Sequence, residues 1–404
     1  MIAETTAPSP AVTQPSLKTY AGITGWGMFV PPQVIPNSEF VKLGLDTSDE
    51  WISTRTGVRQ RHLVRDESTS FMSIRAAREA LQVAGLSAGE IDFVIVATAT
   101  PDHVMPATAS IVQDRIGAKN AGAMDLNAAC SGFVYALTTA AGLIESGRSK
   151  KALVIGADEL SIHLDWKDRS TCVLFGDGAG AVVLEAGGAP GIMGSDVGSD
   201  GSGAGLLTIP AGARTHNAHY VAPKGANGKN GASHEALHHG DYYLRMNGPQ
   251  IFRAATQMMA KASQNVMESS GLTVDDVDLY IPHQANSRIL DATAKRLGLG
   301  EDKVFSNVGD YGNTSAASIP IALYEALSTE RIDVGDNLVL ASFGAGLTWA
   351  AVALRWTAAA PERTRWQPVR SEVDRRLTEL RSLARRQGWR VRGEIGKRLG
   401  REEE

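Results

Sequence analysis

The sequence predicts an α/β fold built from two similar halves. Buried strands alternate with helical segments along most of the 404 residues, as in α/β domains. One unit recurs: SIRAAREALQVAGLSAGEIDFVIVAT (73–98) has a counterpart in MMAKASQNVMESSGLTVDDVDLYIPHQ (258–284). Each copy is a helix ending in Gly-Leu, an acidic linker and a buried strand. We interpret the recurrence as an internal duplication, with the two halves related by a pseudo-twofold axis.

The elements of the first half follow in order. We expect strands over residues 20–29, 91–100, 122–126, 151–158 and 181–186. We expect helices over residues 37–43, 72–86 and 132–143, and two more that begin at residue 47 or 48 and at residue 106. Asn37 and Thr47 or Ser48 are the expected N-caps of the first two helices. The loop FGDGAG (175–180) lacks the spacing of a phosphate-binding loop and is interpreted as a turn.

The chain divides into five segments by composition. These are a disordered lead-in (1–18), a first half (19–190), a connecting region with a mobile His/Gly-rich loop (191–245), a second half (246–356) and a basic amphipathic extension (357–404). The loop contains His216, His219, His234, His238 and His239. No cysteine or carboxylate cluster accompanies them, so we predict no metal site.

Charge and cysteine content exclude several classes of protein. The net charge is −4, and residues 357–404 carry 13 Lys/Arg against 8 Asp/Glu, so the remainder is −9. An acidic body argues against nucleic acid as the partner. Two cysteines indicate a reducing compartment, and no stretch approaches the roughly 20 apolar residues of a membrane span. We predict a cytoplasmic protein, and contact of the basic tail with a membrane is the disfavoured interpretation.

Cys130 lies at the centre of DLNAACSGFVYAL, between a predicted strand and a predicted helix. Backbone N–H groups at a helix N-terminus stabilise a thiolate, the nucleophilic form of cysteine. The alternative, a small buried hydrophobe, fits most cysteines in apolar runs. It is the better interpretation for Cys172, but the position of Cys130 favours a nucleophile.

The duplication places two more polar residues near Cys130. Asp92 precedes Cys130 by 38 residues and Asp278 precedes Asn313 by 35, so the two turns are equivalent and should face each other. His283 directly follows a strand of the second copy. Cysteine with histidine suits acyl transfer. The order Cys, His, Asn also occurs in papain-like proteases, but their local signature around the nucleophile is absent.

Trp51 and Arg55 stand four residues apart on a predicted helix, so their side chains share one face. Such a pair can hold a planar heterocycle by stacking and cation–π contact. From these residues alone, a surface pair that covers its own helix is the favoured interpretation.

Six motifs in this order resemble the β-ketoacyl-acyl-carrier-protein synthase III family of thiolase-superfamily condensing enzymes. They are TSDEWISTRTGVRQR (47–61), NAACSGFVYAL around Cys130, FGDGAG (175–180), HQAN (283–286), GNTSAAS (312–318) and SFGAGLTW (342–349). The resemblance covers residues from about 20 to 356. It implies a thiolase-like fold in which the two α/β halves form an α-β-α-β-α arrangement.

The resemblance also implies a mechanism without a cofactor. Cys130 would accept the acyl group of an acyl-CoA, with backbone N–H groups of Cys130 and Ala345 as oxyanion hole. His283 and Asn313 would bind the carbonyl of malonyl-acyl carrier protein and stabilise the enolate formed on loss of CO2. Asparagine rather than aspartate at 313 favours carbon–carbon bond formation.

Further roles follow from the resemblance alone. CoA would bind Trp51, Arg55, Arg169 and Asn247; the carrier protein would dock on Arg288, Lys295 and Arg296; and Met105 would reach the partner's acyl pocket in a homodimer. For the three docking residues the alternative is an ordinary solvated helix face.

The sequence departs from the family pattern at two positions that bear on these roles. Ala345 replaces the middle of three glycines, where positive φ would strain a residue with a Cβ, and Pro249 stands where a polar residue is usual.

Three function classes remain open from the sequence. The first is a decarboxylative ketosynthase that initiates fatty-acid or related chains. The second is an acyltransferase of specialised metabolism, which primes a polyketide or acylates another nucleophile. The third, a catalytically inactive carrier-binding subunit, is disfavoured because Cys130, His283 and Asn313 are all present.

Overall fold

The computed structural model describes residues 19–210 and 242–358. The strands are β1 (Tyr20–Phe29), β2 (Gln33–Pro36), β3 (Gln60–Leu63), β4 (Phe93–Ala97), β5 (Gly122–Leu126), β6 (Lys151–Asp158), β7 (Gly178–Gly187), β8 (Ile192–Ser199), β9 (Leu207–Thr208), β10 (Arg245–Met246), β11 (Leu279–Pro282), β12 (Asn337–Gly344) and β13 (Thr348–Arg355). The helices are α1 (Asn37–Lys42), α2 (Asp49–Thr56), α3 (Thr69–Val83), α4 (Thr108–Ile116), α5 (Gly132–Glu145), α6 (Gly248–Ser269), α7 (Ser287–Leu297), α8 (Val308–Tyr311) and α9 (Ser318–Ser328). The predicted lead-in, the histidine-rich loop and nearly all of the C-terminal extension lie outside the described residues.

Two sheets repeat one topology, which confirms the duplication. The first has the order β1-β7-β6-β4-β5 and the second β11-β12-β13-β8. In both, a parallel pair (β4 with β6, β11 with β12) continues into two antiparallel neighbours. In the first half β5 pairs with β4 in parallel. Its counterpart in the second half is a single parallel bridge between Tyr280, in β11, and Val304.

The layers follow from which helix faces are apolar. One core cluster joins Phe133 and Leu137 of α5, Ile319 and Leu323 of α9, and side chains from both sheets. Helices α5 and α9 therefore form the middle layer. Helices α3 and α4 cover the outer face of the first sheet, and α6 and α7 cover that of the second. Each buried large side chain contributes about 1.5–3 kcal/mol of transfer free energy. The result is the predicted α-β-α-β-α arrangement.

Two local predictions differ from the structure. Asn37 is not an N-cap, because Pro36 holds that position and the buried Asn37 Nδ2 donates to Asp49 Oδ1 at 2.7 Å. Strand β8 pairs with β13, so part of the predicted connecting region belongs to the second sheet. Ser48 caps α2 as expected, since its Oγ accepts from Trp51 N at 3.0 Å.

Candidate active site

The two strand-to-helix turns that the duplication makes equivalent meet between the sheets. Ala129 in the first half has φ 48° and Ser315 in the second has φ 52°, the left-handed region that strains any residue with a Cβ. Helix α5 begins three residues after Ala129, and α9 three residues after Ser315. Ser315 Oγ donates to Cys130 Sγ at 3.4 Å. The nucleophile of one half therefore contacts the turn of the other, as the intervals in the sequence predict.

Cys130, His283 and Asn313 line one cavity. The other lining side chains are mostly apolar and include Phe175, Met246, Ile251, Phe252, Met259, Ile289 and Phe343. The cavity thus combines an apolar channel with three polar groups at one place.

Cys130 rests as a thiol in this site. Its side chain is buried, and burial raises the pKa of the thiol to about 12, with the Asp158 carboxylate adding to the rise and the Ser315 hydroxyl opposing it. The expectation that the helix N-terminus would favour a thiolate is therefore opposed by desolvation, which disfavours the charged form.

His283 is neutral and oriented. Burial lowers the pKa of the imidazole to about 3, and Nδ1 lies 2.6 Å from Ser318 Oγ. Gln284 N donates to the same Oγ at 3.4 Å, so the serine is itself held in place. In the tautomer whose Nδ1 accepts from Ser318, the ring proton is on Nε2 and the imidazole is a hydrogen-bond donor.

Asn313 is fixed by its backbone and its side-chain oxygen. Its N–H donates to Leu174 O at 2.8 Å and its carbonyl accepts from Gly176 N at 3.0 Å, so the segment just before β7 holds the turn. The last three residues of FGDGAG, predicted as a turn, begin β7. Its Oδ1 accepts from Ser315 N at 2.8 Å. The Nδ2 group is therefore the end of the side chain that remains to donate within the cavity.

The loop after β12 packs against the backbone of the nucleophile. A Cβ on Gly344 would lie 2.8 Å from Cys130 N and 3.0 Å from Ser131 N, so only glycine fits without displacement. The positive φ in this loop falls on Gly346, at 140°, and not on Ala345. The strain expected from an alanine at position 345 is therefore absent. Thr348 Oγ1 lies 3.1 Å from Ala345 O and 3.0 Å from Ala128 O, so its single hydroxyl proton can be donated to either carbonyl and links the two loops.

Three of the predicted CoA residues form one stack. The guanidinium carbons of Arg55 and Arg169 lie 5.0 and 4.9 Å from the Trp51 ring centroid. Arg169 is also paired with Asp46 at 3.0 Å. Asn286, which lines the cavity, donates to Arg55 O at 3.2 Å. One hydrogen bond therefore links the stack to the wall of the cavity.

The remaining predicted residues lie at the surface. Asn247 caps α6, with Oδ1 accepting from Gln250 N at 3.3 Å, between the cavity-lining Met246 and Gly248. Pro249 occupies the first turn of α6, where its missing N–H is tolerated. The three predicted docking residues, Arg288, Lys295 and Arg296, are exposed on α7, where the exposed Asp291 reduces the positive charge. Met105 is 86% exposed.

Three groups of this site are not among the residues predicted from the sequence. Ser315 contacts the nucleophile, Ser318 contacts the histidine, and Asp158 accepts from Ala316 N at 3.1 Å beside them. Both serines stand in the motif GNTSAAS, so the motif was a signal for them. Asp158 closes a buried strand, and nothing local distinguishes it.

The fold and the site define a thiolase-type condensing acyltransferase, and comparison with known proteins agrees. The family model of 3-oxoacyl-[acyl-carrier-protein] synthase III matches residues 124–201. The model of the C-terminal part of the same family matches residues 267–356. β-Ketoacyl-[acyl-carrier-protein] synthase III of Roseiflexus castenholzii is 47% identical over 344 residues, 85% of this chain and all of the relative. That of Symbiobacterium thermophilum is 48% identical over 337 residues, 83% of this chain and 98% of the relative.

Solved structures extend the comparison. The synthase III of Aquifex aeolicus superimposes with a TM-score of 0.74 at 42% identity, covering 83% of this chain and all of the other. The priming β-ketosynthase of the R1128 polyketide pathway gives 0.76 at 34% identity, covering 87% of this chain and all of the other. The chain belongs to the β-ketoacyl-[acyl-carrier-protein] synthase III family. Among the helices of residues 19–210 and 242–358, none combines the length and apolarity needed to cross a membrane.

Proposed function

We propose that this chain transfers the acyl group of an acyl-CoA to Cys130 and condenses it with malonyl-acyl carrier protein, releasing CO2 and a 3-oxoacyl-acyl carrier protein. The observation that carries the proposal is the single cavity lined by one thiol and two neutral hydrogen-bond donors, Cys130, His283 and Asn313. An apolar channel leads to them, which suits a thioester carried on a long flexible arm.

In the first half-reaction Cys130 attacks the thioester carbonyl, and the oxygen takes up negative charge. Backbone N–H groups of Cys130 and Ala345 are the proposed donors to that oxygen. The close packing of Gly344 on Cys130 N supports this assignment, because it brings the two loops together. CoA then leaves and the acyl group stays on Cys130.

In the second half-reaction His283 Nε2 and Asn313 Nδ2 donate to the malonyl thioester carbonyl. Loss of CO2 leaves an enolate, which both donors stabilise and which attacks the acyl group on Cys130. A pKa of about 3 keeps His283 neutral over the working pH range. Two neutral donors stabilise the enolate without protonating its carbon.

Substrate binding is assigned to the cavity mouth. The CoA adenine would enter between Trp51 and Arg169, with Arg55 also against the Trp51 ring and Asn247 beside the pantetheine arm. Arg288, Lys295 and Arg296 would dock the acidic carrier protein, a steering role. The exposed Arg288 lies one residue before the cavity-lining Ile289, which supports docking at the mouth.

A homodimer completes the proposal. Strand β5 is the edge of the first sheet, and the loop before α4 exposes Val104 (92%) and Met105 (86%). An unpaired edge beside exposed apolar side chains fits a subunit interface. Met105 would reach the partner's acyl pocket there.

Mass spectrometry of the intact chain tests the central assignment. A survey of acyl-CoAs of increasing size should give one acyl mass per chain, on Cys130. Cys172→Ala should load like the wild type, and Cys130→Ala should not load. Malonyl-acyl carrier protein added to the loaded enzyme should release CO2 and shift the acyl mass to the carrier. Label on Cys130→Ala would contradict the assignment of the nucleophile.

A second candidate is priming of a polyketide chain, supported by the likeness to the R1128 priming β-ketosynthase. The same half-reactions would then use a different primer and carrier. Condensation assays with the malonyl forms of both carrier proteins distinguish the two, because a polyketide-priming enzyme should prefer its own carrier protein over that of fatty-acid synthesis.

A further inference from the structure

The thiol proton of Cys130 has no evident acceptor among the groups assigned so far. His283 and Asn313 act as donors, and Cys130 rests as a thiol. The proton must nevertheless leave sulfur when the thiol attacks a thioester. The environment of Sγ therefore has to supply a base.

Two groups outside the assigned machinery lie next to Sγ. Ser315 Oγ is 3.4 Å from Cys130 Sγ. The same hydroxyl opposes the effect of burial on the pKa of the Asp158 carboxylate, and the N–H of the next residue, Ala316, donates to Asp158 Oδ2 at 3.1 Å. Ser315 is thus close to both the thiol and a fully buried carboxylate.

The position of Asp158 follows from the duplication. The pairing registers make Asp158, the last residue of β6, equivalent to Gly344, the last residue of β12. Gly344 packs against Cys130 N, whereas Asp158 Oδ2 accepts from the equivalent Ala316 N at 3.1 Å. Beside the turn of the second half, the carboxylate of Asp158 therefore occupies the position that Gly344 takes beside Cys130.

We propose that Ser315 and Asp158 form the proton path of Cys130, an inference that rests on the proposed role of Cys130 as acyl acceptor. The Ser315 hydroxyl, which donates to Sγ at rest, first turns its proton toward Asp158. In loading, the S–H bond then breaks as an Oγ–H bond forms on Ser315, and the former Ser315 proton bonds to Asp158. The sulfur electron pair forms the bond to the acyl carbon, the C–S bond to CoA breaks, and the CoA thiolate takes a proton from solvent. In condensation the acyl–Cys130 bond breaks, and the Cys130 thiolate regains the proton from Asp158 through Ser315.

The surroundings of Asp158 support a carboxylate that exchanges a proton. Burial raises its pKa. Thr98 Oγ1, Ala99 N and Thr100 Oγ1 donate to Oδ1 at 3.0, 2.7 and 3.1 Å, so that oxygen is held in place.

The titratable groups around this path are few. On the cavity side the thiol of Cys130 is faced by His283, which is neutral. On the other side Asp158 interacts with His163, Glu159 and Asp177. The two carboxylates disfavour further negative charge, which favours proton uptake by Asp158.

Ser315→Ala is the first test, and the chain itself shows that alanine is tolerated there. Ala129 occupies the equivalent turn position with φ 48°. Single-turnover loading by the fastest acyl-CoA of the survey, and alkylation of Cys130 by iodoacetamide, are measured against pH. The wild type should load at a nearly constant rate between about pH 6.5 and 9. Ser315→Ala should load at least about 100-fold more slowly near pH 7 and gain about tenfold per pH unit.

Asp158→Asn gives a second test, since an amide cannot take the proton, and should show the same dependence on pH. Ser263→Ala, which removes a buried hydroxyl bonded to Tyr280, should keep the wild-type profile. Decarboxylation of malonyl-acyl carrier protein should persist in Ser315→Ala, which shows that the site is folded. Wild-type rates in Ser315→Ala, or an equal loss at every pH, would overturn the proton path. A wild-type Cys130 that takes no acyl group would instead refute the proposed function, and the iodoacetamide profile would still test the path.

Discussion

Asn127 and Asn313 make the same hydrogen bond in the two halves of the chain. Each side-chain Oδ1 accepts from the backbone N–H two residues later, at 3.1 Å for Ala129 N and 2.8 Å for Ser315 N. The asparagines therefore share a structural role in shaping the turn. Only Asn313 lines the cavity, so its Nδ2 has a second role that Asn127 lacks. Comparing Asn127 with Asn313 therefore separates the structural role of the Asn313 side chain in the turn from its proposed chemical role in the cavity.

Asn313→Asp should keep the turn and lose the donor, because a carboxylate can still accept from Ser315 N. We expect acyl loading of Cys130 within a few-fold of the wild type and malonyl decarboxylation slower by about 10²–10³, the usual effect of removing one such donor. Loading is measured by intact-mass analysis and decarboxylation by CO2 release. Asn127→Asp is the matched control and should leave decarboxylation unchanged. Loss of loading with decarboxylation intact would reverse the assigned role.

Trp51→Ala and Arg169→Ala should weaken acyl-CoA binding without affecting chemistry at Cys130. Trp51 offers a ring face to the adenine and Arg169 the opposing cation, and each such contact contributes about 0.5–2 kcal/mol. We expect KM for acyl-CoA to rise about 3- to 30-fold. Loading from an acyl-N-acetylcysteamine, which lacks the nucleotide, should be unchanged. Arg331→Ala, at an exposed arginine whose guanidinium bonds to Asp302 O, serves as control. An equal loss of loading from acyl-CoA and from acyl-N-acetylcysteamine would show that the stack only stabilises α2.

Arg288→Glu and Arg296→Glu should raise the KM for malonyl-acyl carrier protein and leave loading by acyl-CoA nearly unchanged. Exposed rim charges act mainly through association rate, so the wild-type rate with the carrier should also fall as salt increases. Steady-state kinetics at two ionic strengths measure both effects. Lys119→Glu, a charge reversal at an exposed residue in the loop before β5, provides the comparison. Carrier kinetics independent of salt would indicate an ordinary solvated helix face.

Gly344→Ala should slow loading of Cys130 by tenfold or more and lower the melting temperature. Its Cβ would meet the Cys130 and Ser131 backbone nitrogens at 2.8 and 3.0 Å, and backbone atoms cannot rotate away. Overpacking of this kind costs about 1–3 kcal/mol. Gly142→Ala, in α5 with nothing within 4 Å of the added Cβ, should raise the melting temperature. A Gly344→Ala enzyme that loads normally would remove this loop from the oxyanion hole.

Much of the fold was predictable because its helices and strands produce local periodic patterns in the sequence and because one unit is repeated. The helix ending in Gly-Leu, the acidic linker and the following strand recur, and the registers of β4 with β6 and β11 with β12 confirm their equivalence. The same repeat placed Cys130 opposite Asn313. Motifs supplied the family, and the relatives confirm it. The N-cap expected at Asn37 was wrong because a long-range contact with Asp49 decides that side chain.

The sequence by itself therefore determined the two halves, the family and the three residues at the site. Only the tertiary structure decided their protonation and their neighbours. The pKa values of Cys130 and His283 depend on desolvation when the halves close over the cavity, and desolvation is a property of packing, not of sequence spacing. Asp158 lies 157 residues before Ser315 in the chain, at the end of an ordinary buried strand. It reaches the turn after Ser315, where Ala316 N donates to it at 3.1 Å, because the two sheets pack around α5 and α9, and no local pattern encodes that contact.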